Sequence, residues 1–181
     1  MKKFEEKTID SKEIFNGRII RVNVDTVQLP NGKQSTREIV KHPGAVGIIP
    51  VTSDGKLVLV EQYRKALEKT IIEIPAGKIE PGEDPTICAL RELEEETGYG
   101  VEKLTYLQPV ITAPGFCDEV VYLYAAENLF AIEQPKAADE DEFVEVMEVT
   151  IEEAEKLMAE GKICDAKTII AVMWLKSRLQ K

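Results

Sequence analysis

The chain has 181 residues, 44% hydrophobic and 31% charged, which is the balance of a globular protein and excludes a disordered or fibrous one. A formal net charge of −10 argues against nucleic acid or an anionic membrane as the main partner. It also means that a phosphate-bearing ligand would need bound cations.

This length reads as one domain with an elaboration, large enough for a sizeable core. Cys88, Cys117 and Cys164 are odd in number and without C-x-x-C spacing, which argues against a zinc site or a disulfide framework and fits a reducing compartment. With no apolar leader and no run of about 18 apolar residues, the expectation is a soluble, cytoplasmic protein that makes no membrane contact.

Residues 4–41 read as antiparallel strands. Ile20, Val22, Val24 and Val27 alternate, Pro30-Asn31-Gly32 marks a turn, and a further strand runs through Ile39 and Val40. The boundary is placed at 1–41 for this strand region and 42–181 for the main domain. The strand region either carries recognition and pairing or merely covers the core. Beyond Lys41-His42-Pro43-Gly44, residues 45–51 and 56–63 predict a hairpin around Ser53-Asp54-Gly55. Val46-Gly47-Ile48-Ile49, apolar on both faces, predicts a central strand. His42 is the single histidine, which excludes multi-histidine zinc sites and leaves a loop residue. Residues 71–75 form a strand leading into the stretch AGKIEPGEDPTICALRELEEETGY, residues 76–99.

The middle of that stretch predicts a helix. Asp84 can cap it, Pro85 suits its first position, and Gly98 suits the residue past its last turn. At 100° per residue, Ile87, Leu90 and Leu93 group on one side, predicted to face the core, with Glu92, Glu95 and Glu96 opposite. This placement of acids is unfavourable. Glu92 and Glu96 are like charges at i,i+4, and all three sit near the negative end of the helix dipole, each effect costing a few tenths to about 1 kcal/mol. A solvated acidic face is the ordinary explanation of such a run, but an ordinary helix would carry its acids in the first turn. A hard divalent cation such as Mg²⁺ is what converging carboxylates bind, together with water and substrate phosphates.

Further on, residues 104–111 and 119–126 read as strands flanking Ala113-Pro114-Gly115-Phe116. Residues 135–142, PKAADEDE, read as an acidic loop, and residues 143–149 as a last strand. Thr150 and Glu153 predict a capping box for a helix ended by Gly161. Residues 165–179 predict a closing helix with Ile169, Ile170, Val172, Met173 and Leu175 in the core. The class is α+β.

Gly77, five residues, Glu83, seven residues, then Arg91-Glu92-Leu93-Glu94-Glu95-Glu96-Thr97-Gly98-Tyr99 resembles an unbroken Nudix box, G-x5-E-x7-R-E-U-x-E-E-x-G-U, with aromatic Tyr99 where an aliphatic residue is usual. The resemblance implies an α/β/α sandwich with a mixed sheet over residues 42–181, preceded by the antiparallel strands, and a metal-dependent hydrolase of a diphosphate joined to another moiety. It also implies Glu92 and Glu96 as principal metal ligands, with Glu95 and the Ala76 carbonyl adding to them. Arg91 would orient the carboxylates and Glu83 would support it. Either Mg²⁺ or Mn²⁺ would serve.

The remainder of the chain is similar to the ADP-ribose pyrophosphatase branch, on the N-terminal strands, Thr36-Arg37-Glu38, Glu61-Gln62-Tyr63-Arg64 and Pro114. That branch implies hydrolysis of ADP-ribose, or a related nucleotide sugar, to AMP and ribose 5-phosphate. Arg37, Glu38, Arg64 and Gly115 would contact substrate, and Glu142 or Glu140 would be the catalytic base beside Glu95 and Arg91. The branch further implies a homodimer paired through the strand region. Two other readings stay open: a Nudix hydrolase of another nucleoside diphosphate derivative, and a non-catalytic nucleotide sensor.

Overall fold

The computed structural model describes residues 3–137 and 143–179. Glu140 and Glu142, the two candidates for the base, lie outside the described residues. The chain divides into two compact units, residues 1–44 with 111–120 and residues 45–110 with 121–181.

The first unit is a three-stranded antiparallel sheet of β1 (Lys7–Asn16), β2 (Arg21–Gln28) and β3 (Gln34–Lys41), in that order. Its β2–β3 turn is where Pro30-Asn31-Gly32 predicts it. Gly32 sits at φ +81° and donates its N–H to the Leu29 carbonyl at 2.9 Å, a conformation a side chain would strain. The end of β3 is tied to residues 111–120 by two backbone bonds, Val40 N–H to Phe116 O at 2.7 Å and Asp118 N–H to Val40 O at 3.1 Å. All ten residues of β1 are exposed, Ile9, Ile14 and Phe15 included.

The second unit contains β4 (Ala45–Val51), β5 (Leu57–Arg64), β6 (Lys69–Glu73), β7 (Ala76–Lys78), α1 (Pro85–Thr97), β8 (Tyr99–Val101), β9 (Leu104–Ile111), β10 (Val120–Glu127), β11 (Leu129–Ala131), β12 (Val144–Val149), α2 (Ile151–Ala159) and α3 (Ala166–Leu179). Seven of the strands make one mixed sheet, ordered β12-β5-β4-β10-β9, with β6 on β5 and β7 on β4. β4 is central and runs parallel to β10, Ile48 opposite Tyr124. This agrees with its two-sided apolar run. The predicted 45–63 hairpin is corrected in extent. β4 and β5 are joined in register at Val51 and Leu57, and the rest of β4 pairs with β10 and β7 instead.

Strand alternation builds the layers. Val46 and Ile48 of β4 pack with Cys88, Ala89 and Leu93 of α1, while Ile49 and Val51 pack with Ile151 and Ala154 of α2 and Ala171, Val172 and Leu175 of α3. The result is the expected α/β/α sandwich. Thr150 and Glu153 form the reciprocal cap of α2. One core assignment fails. Met173 is 50% exposed, because the buried stripe of α3 runs through Thr168, Ala171, Val172 and Leu175 and residue 173 lies off it. Among the described residues, no helix is long and apolar enough to cross a membrane.

Candidate active site

The site is organised on α1. Asp84 caps it by accepting from Thr86 N–H at 2.8 Å, Pro85 occupies the first turn, and Gly98 ends it at φ +71° with its N–H on Glu94 O. The caps are as read from the sequence, but the buried face is not. Ile87 is 58% exposed and Leu90 37%, whereas Cys88, Ala89, Leu93, Glu92 and Glu96 are buried. The apolar positions Ile87 and Leu90 therefore do not face the core. The stripe from Ala89 through Glu92 and Leu93 to Glu96 does, and two carboxylates occupy places a plain amphipathic helix would give to apolar side chains. Leu93, fully buried, contributes about 1.5–3 kcal/mol. Glu92 and Glu96, with charges that cost free energy to bury, reduce that gain.

The partners of the carboxylates come from β7 and from the turn after it. Ala76 N–H donates to Glu96 Oε2 at 3.0 Å. Gly77 lies against Glu92 so closely that a Cβ built there would stand 1.8 Å from the carboxylate carbon and from Oε1. The glycine of the box is thus the hollow into which Glu92 fits. Gly77→Ala is expected to leave the fold intact, since its φ is negative and the obstacle is a flexible side-chain end. It should displace Glu92 and lower turnover by about 10–100-fold, the usual effect of disturbing a ligand's support. Circular dichroism and a steady-state assay check the two halves.

Arg91 connects three acids. Its Nε and Nη2 grip Glu83 at 2.9 and 3.0 Å, and its Nη1 donates to Glu92 Oε1 at 2.7 Å and Glu95 Oε2 at 3.0 Å. The Arg91 bond, reinforced by the Glu80 N–H, holds the Glu83 carboxyl down to about 2. Gly82, at φ +83°, shapes the turn that delivers Glu83. Burial pushes the Cys88 thiol up to about 12, so it packs as a small apolar group.

Among the described residues, no three His, Cys, Asp or Glu side chains are gathered to hold a metal ion as they stand. Glu92 and Glu95 are turned to Arg91 and Glu96 to Ala76 N–H, which explains why the sequence expectation of three converging carboxylates is not met directly. The donor chemistry nonetheless fits a hard divalent cation: anionic oxygens, two of the three side chains buried, on one helix beside a strand.

Of the other residues singled out from the sequence, Arg64 at the end of β5 belongs to the same unit, and the charge of Glu96 acts on it. Arg37, Glu38 and Gly115 belong to the first unit. There Arg37 pairs with Glu6 at 2.6 Å, Glu38 is exposed opposite Val24, and Gly115 has open space where a side chain would begin. Sequence reasoning missed Glu73, which is 2% exposed and grips Arg64 through both carboxylate oxygens. A single acid inside the apolar run Ile71-Ile72-Glu73-Ile74 was the available signal.

A sheet-backed helix with carboxylates buried beside a close-fitting glycine is the frame of a cation-dependent phosphoanhydride hydrolase. The NUDIX domain model matches residues 41–170, and a nucleoside diphosphate sugar hydrolase N-terminal domain model matches residues 6–40. The chain belongs to the Nudix family. It is 56% identical over 176 residues to the ADP-ribose pyrophosphatase of Bacillus subtilis (strain 168), covering 97% of this chain and 95% of that protein. It is 55% identical over 175 residues to the methanol dehydrogenase activator of Bacillus methanolicus, with 97% and 95% covered. A crystal structure of an ADP compounds hydrolase superposes with a TM-score of 0.84 at 23% identity, covering 97% of this chain and 95% of that one, a likeness of fold.

Proposed function

We propose that this protein hydrolyses the diphosphate of ADP-ribose, or of a close ADP-sugar, to AMP and ribose 5-phosphate in the presence of Mg²⁺, with Mn²⁺ as an alternative ion. The observation that carries the reading is the intact box, with Glu92 seated against Gly77 and Glu96 on Ala76 N–H. A relative of 56% identity over nearly the whole chain bears the name ADP-ribose pyrophosphatase, which supports the choice of substrate.

Glu92 and Glu96, with Glu95 and the Ala76 carbonyl, would hold the cation. A cation so placed polarises phosphoryl oxygens and acidifies water. Arg91 holds Glu92 and Glu95 in place, and Glu83 holds Arg91. Arg64 is a donor for phosphate. Arg37, Glu38 and Gly115 are assigned to substrate, and Glu142, with Glu140 second, to accepting the proton of the attacking water. A cytoplasmic location is in keeping with three unpaired cysteines.

The test is a panel of ADP-ribose, other nucleoside diphosphate sugars and dinucleoside polyphosphates, assayed with and without Mg²⁺, products identified by mass. AMP and ribose 5-phosphate should dominate, and only with the cation. Equal or faster cleavage of a non-adenine sugar nucleotide would move the assignment to another Nudix substrate, and no cleavage of any would favour a sensor.

Residues 1–41 are proposed as a separate element through which two copies pair, leaving residues 42–181 as the Nudix hydrolase domain. The wholly exposed β1, with Ile9, Ile14 and Phe15 at its surface, supports this. Removing residues 1–16 leaves β2 and β3 and the Val40 ties in place. The truncated protein should show about half the light-scattering mass of the intact one, as expected for a two-fold dimer. An intact protein that is already monomeric would refute the pairing.

A further inference from the structure

Arg64 stands opposite Lys69 in the β5–β6 register, yet it reaches back to Glu73, four residues along β6. Its Nε donates to Glu73 Oε1 at 2.5 Å and its Nη2 to Oε2 at 3.0 Å, so one edge of the planar guanidinium is spent in a bidentate grip. Lys167 of α3 donates to the same Oε2 of Glu73 that accepts from Arg64 Nη2, and it also pairs with Asp165 at 2.9 Å. Burial opposes charge on Glu73, but Arg64 and Lys167 more than offset it, and its pKa lies below the ordinary glutamate value. The acid is therefore a fixed anion in the base of the sheet.

One cation balances the charge of a carboxylate, and Glu73 has two of different reach. Lys167 is partly buried between Asp165 and Glu73 and pairs with both, whereas Arg64 keeps its side chain 40% exposed. Its Nη1 has no hydrogen-bond partner among the described residues. Gln62, two residues earlier and so on the same strand face, has a buried Nε2 that is likewise without a partner. Leu57 and Leu59 of β5 pack with α2 and α3, so by alternation Gln62 and Arg64 lie on the opposite, box face of the sheet, where the charge of Glu96 acts on Arg64. An unpinned arginine loses rotamer freedom when it binds a phosphate, and one already held along one edge does not.

We propose that Glu73 is a positioning residue for substrate: it locks the inner edge of Arg64 so that the free Nη1 edge is presented to a phosphate oxygen of the diphosphate. The proposal rests on the reading of this site as a diphosphate hydrolase. It assigns Lys167 the separate task of fastening β6 to α3.

The full chain carries the test. Glu73→Gln, which keeps shape but weakens the grip, is expected to raise KM for ADP-ribose about tenfold with kcat changed less than about threefold, the pattern of lost ground-state binding. Arg64→Lys should do the same, and the double variant should be no worse than either single one. Lys167→Met should lower Tm while leaving KM unchanged. If Glu73→Gln does not fold, the Glu73→Gln/Lys167→Met variant, which leaves no lysine facing a neutral acid site, should fold and keep the raised KM.

A Glu73→Gln or double variant that loses Tm but keeps KM would overturn the proposal and make the cluster purely structural. Additive effects of Glu73→Gln and Arg64→Lys on KM would overturn it too. Should the wild-type protein fail on ADP-ribose, the function reading falls, and the same KM comparison on the substrate found in the panel still decides Glu73.

Discussion

Glu96→Gln is expected to lower turnover by about 100-fold or more at saturating Mg²⁺, since disturbing even the support of a metal ligand costs about 10–100-fold. The substitution is almost isosteric. Glu96 accepts from Ala76 N–H at 3.0 Å, and an amide oxygen can accept the same bond. It also removes one of two like charges that lie one turn apart on α1, both buried. Stability should accordingly stay within about 1 kcal/mol of the parent or rise slightly. Activity and stability thus move independently, and that is the diagnostic. Near-normal turnover at saturating Mg²⁺ would remove Glu96 from the ligand set, whereas a collapse of Tm together with activity would make it a structural acid.

The second large effect is expected outside α1. Glu92 and Glu95 are engaged by Arg91 and Glu96 by a backbone N–H, and a carboxylate stabilised as an anion by cations is a poor base. A glutamate away from these contacts is better suited to take the proton of the attacking water. Glu142, adjoining the residue before β12, is the first choice and Glu140 the second. Replacing the true one by Gln should cut kcat by about 10²–10⁴-fold, the usual worth of general base catalysis, with little change in KM or in the Mg²⁺ requirement. The pair of single variants identifies the base. If both retain most of their kcat, the base lies in the box itself, and Glu95 becomes the residue to test.

Much of the frame was legible because it rests on local chemistry. Asp84, Pro85 and Gly98 bound α1, Thr150 and Glu153 cap α2, and Gly32 turns β2 into β3 through rules that act over a few residues. The apolar run Val46–Ile49 marked the central strand because a strand covered on both faces cannot alternate. Helical spacing grouped Glu92, Glu95 and Glu96, and the resemblance to the Nudix box joined Gly77, Glu83 and Arg91 to them.

What the sequence determined by itself, then, is the order of the longer elements, the caps of α1 and α2 and the identity of the box. The three-residue strands β7, β8 and β11 were not read from it. Only the tertiary structure decided which face of α1 is inside. Hydrophobicity assigned Ile87 and Leu90 to the core, but the fit of Glu92 against the bare backbone of Gly77 and the bond from Ala76 N–H to Glu96 hold the carboxylate side inward. Met173 was misplaced for a similar reason, since α3 is covered along a stripe narrower than its apolar content. The partnership of Glu73 with Arg64 was invisible too, because it depends on β6 lying beside β5 in one register. Periodicity records what a residue prefers. Burial records which neighbours, contributed by strands distant in the chain, are present to satisfy it.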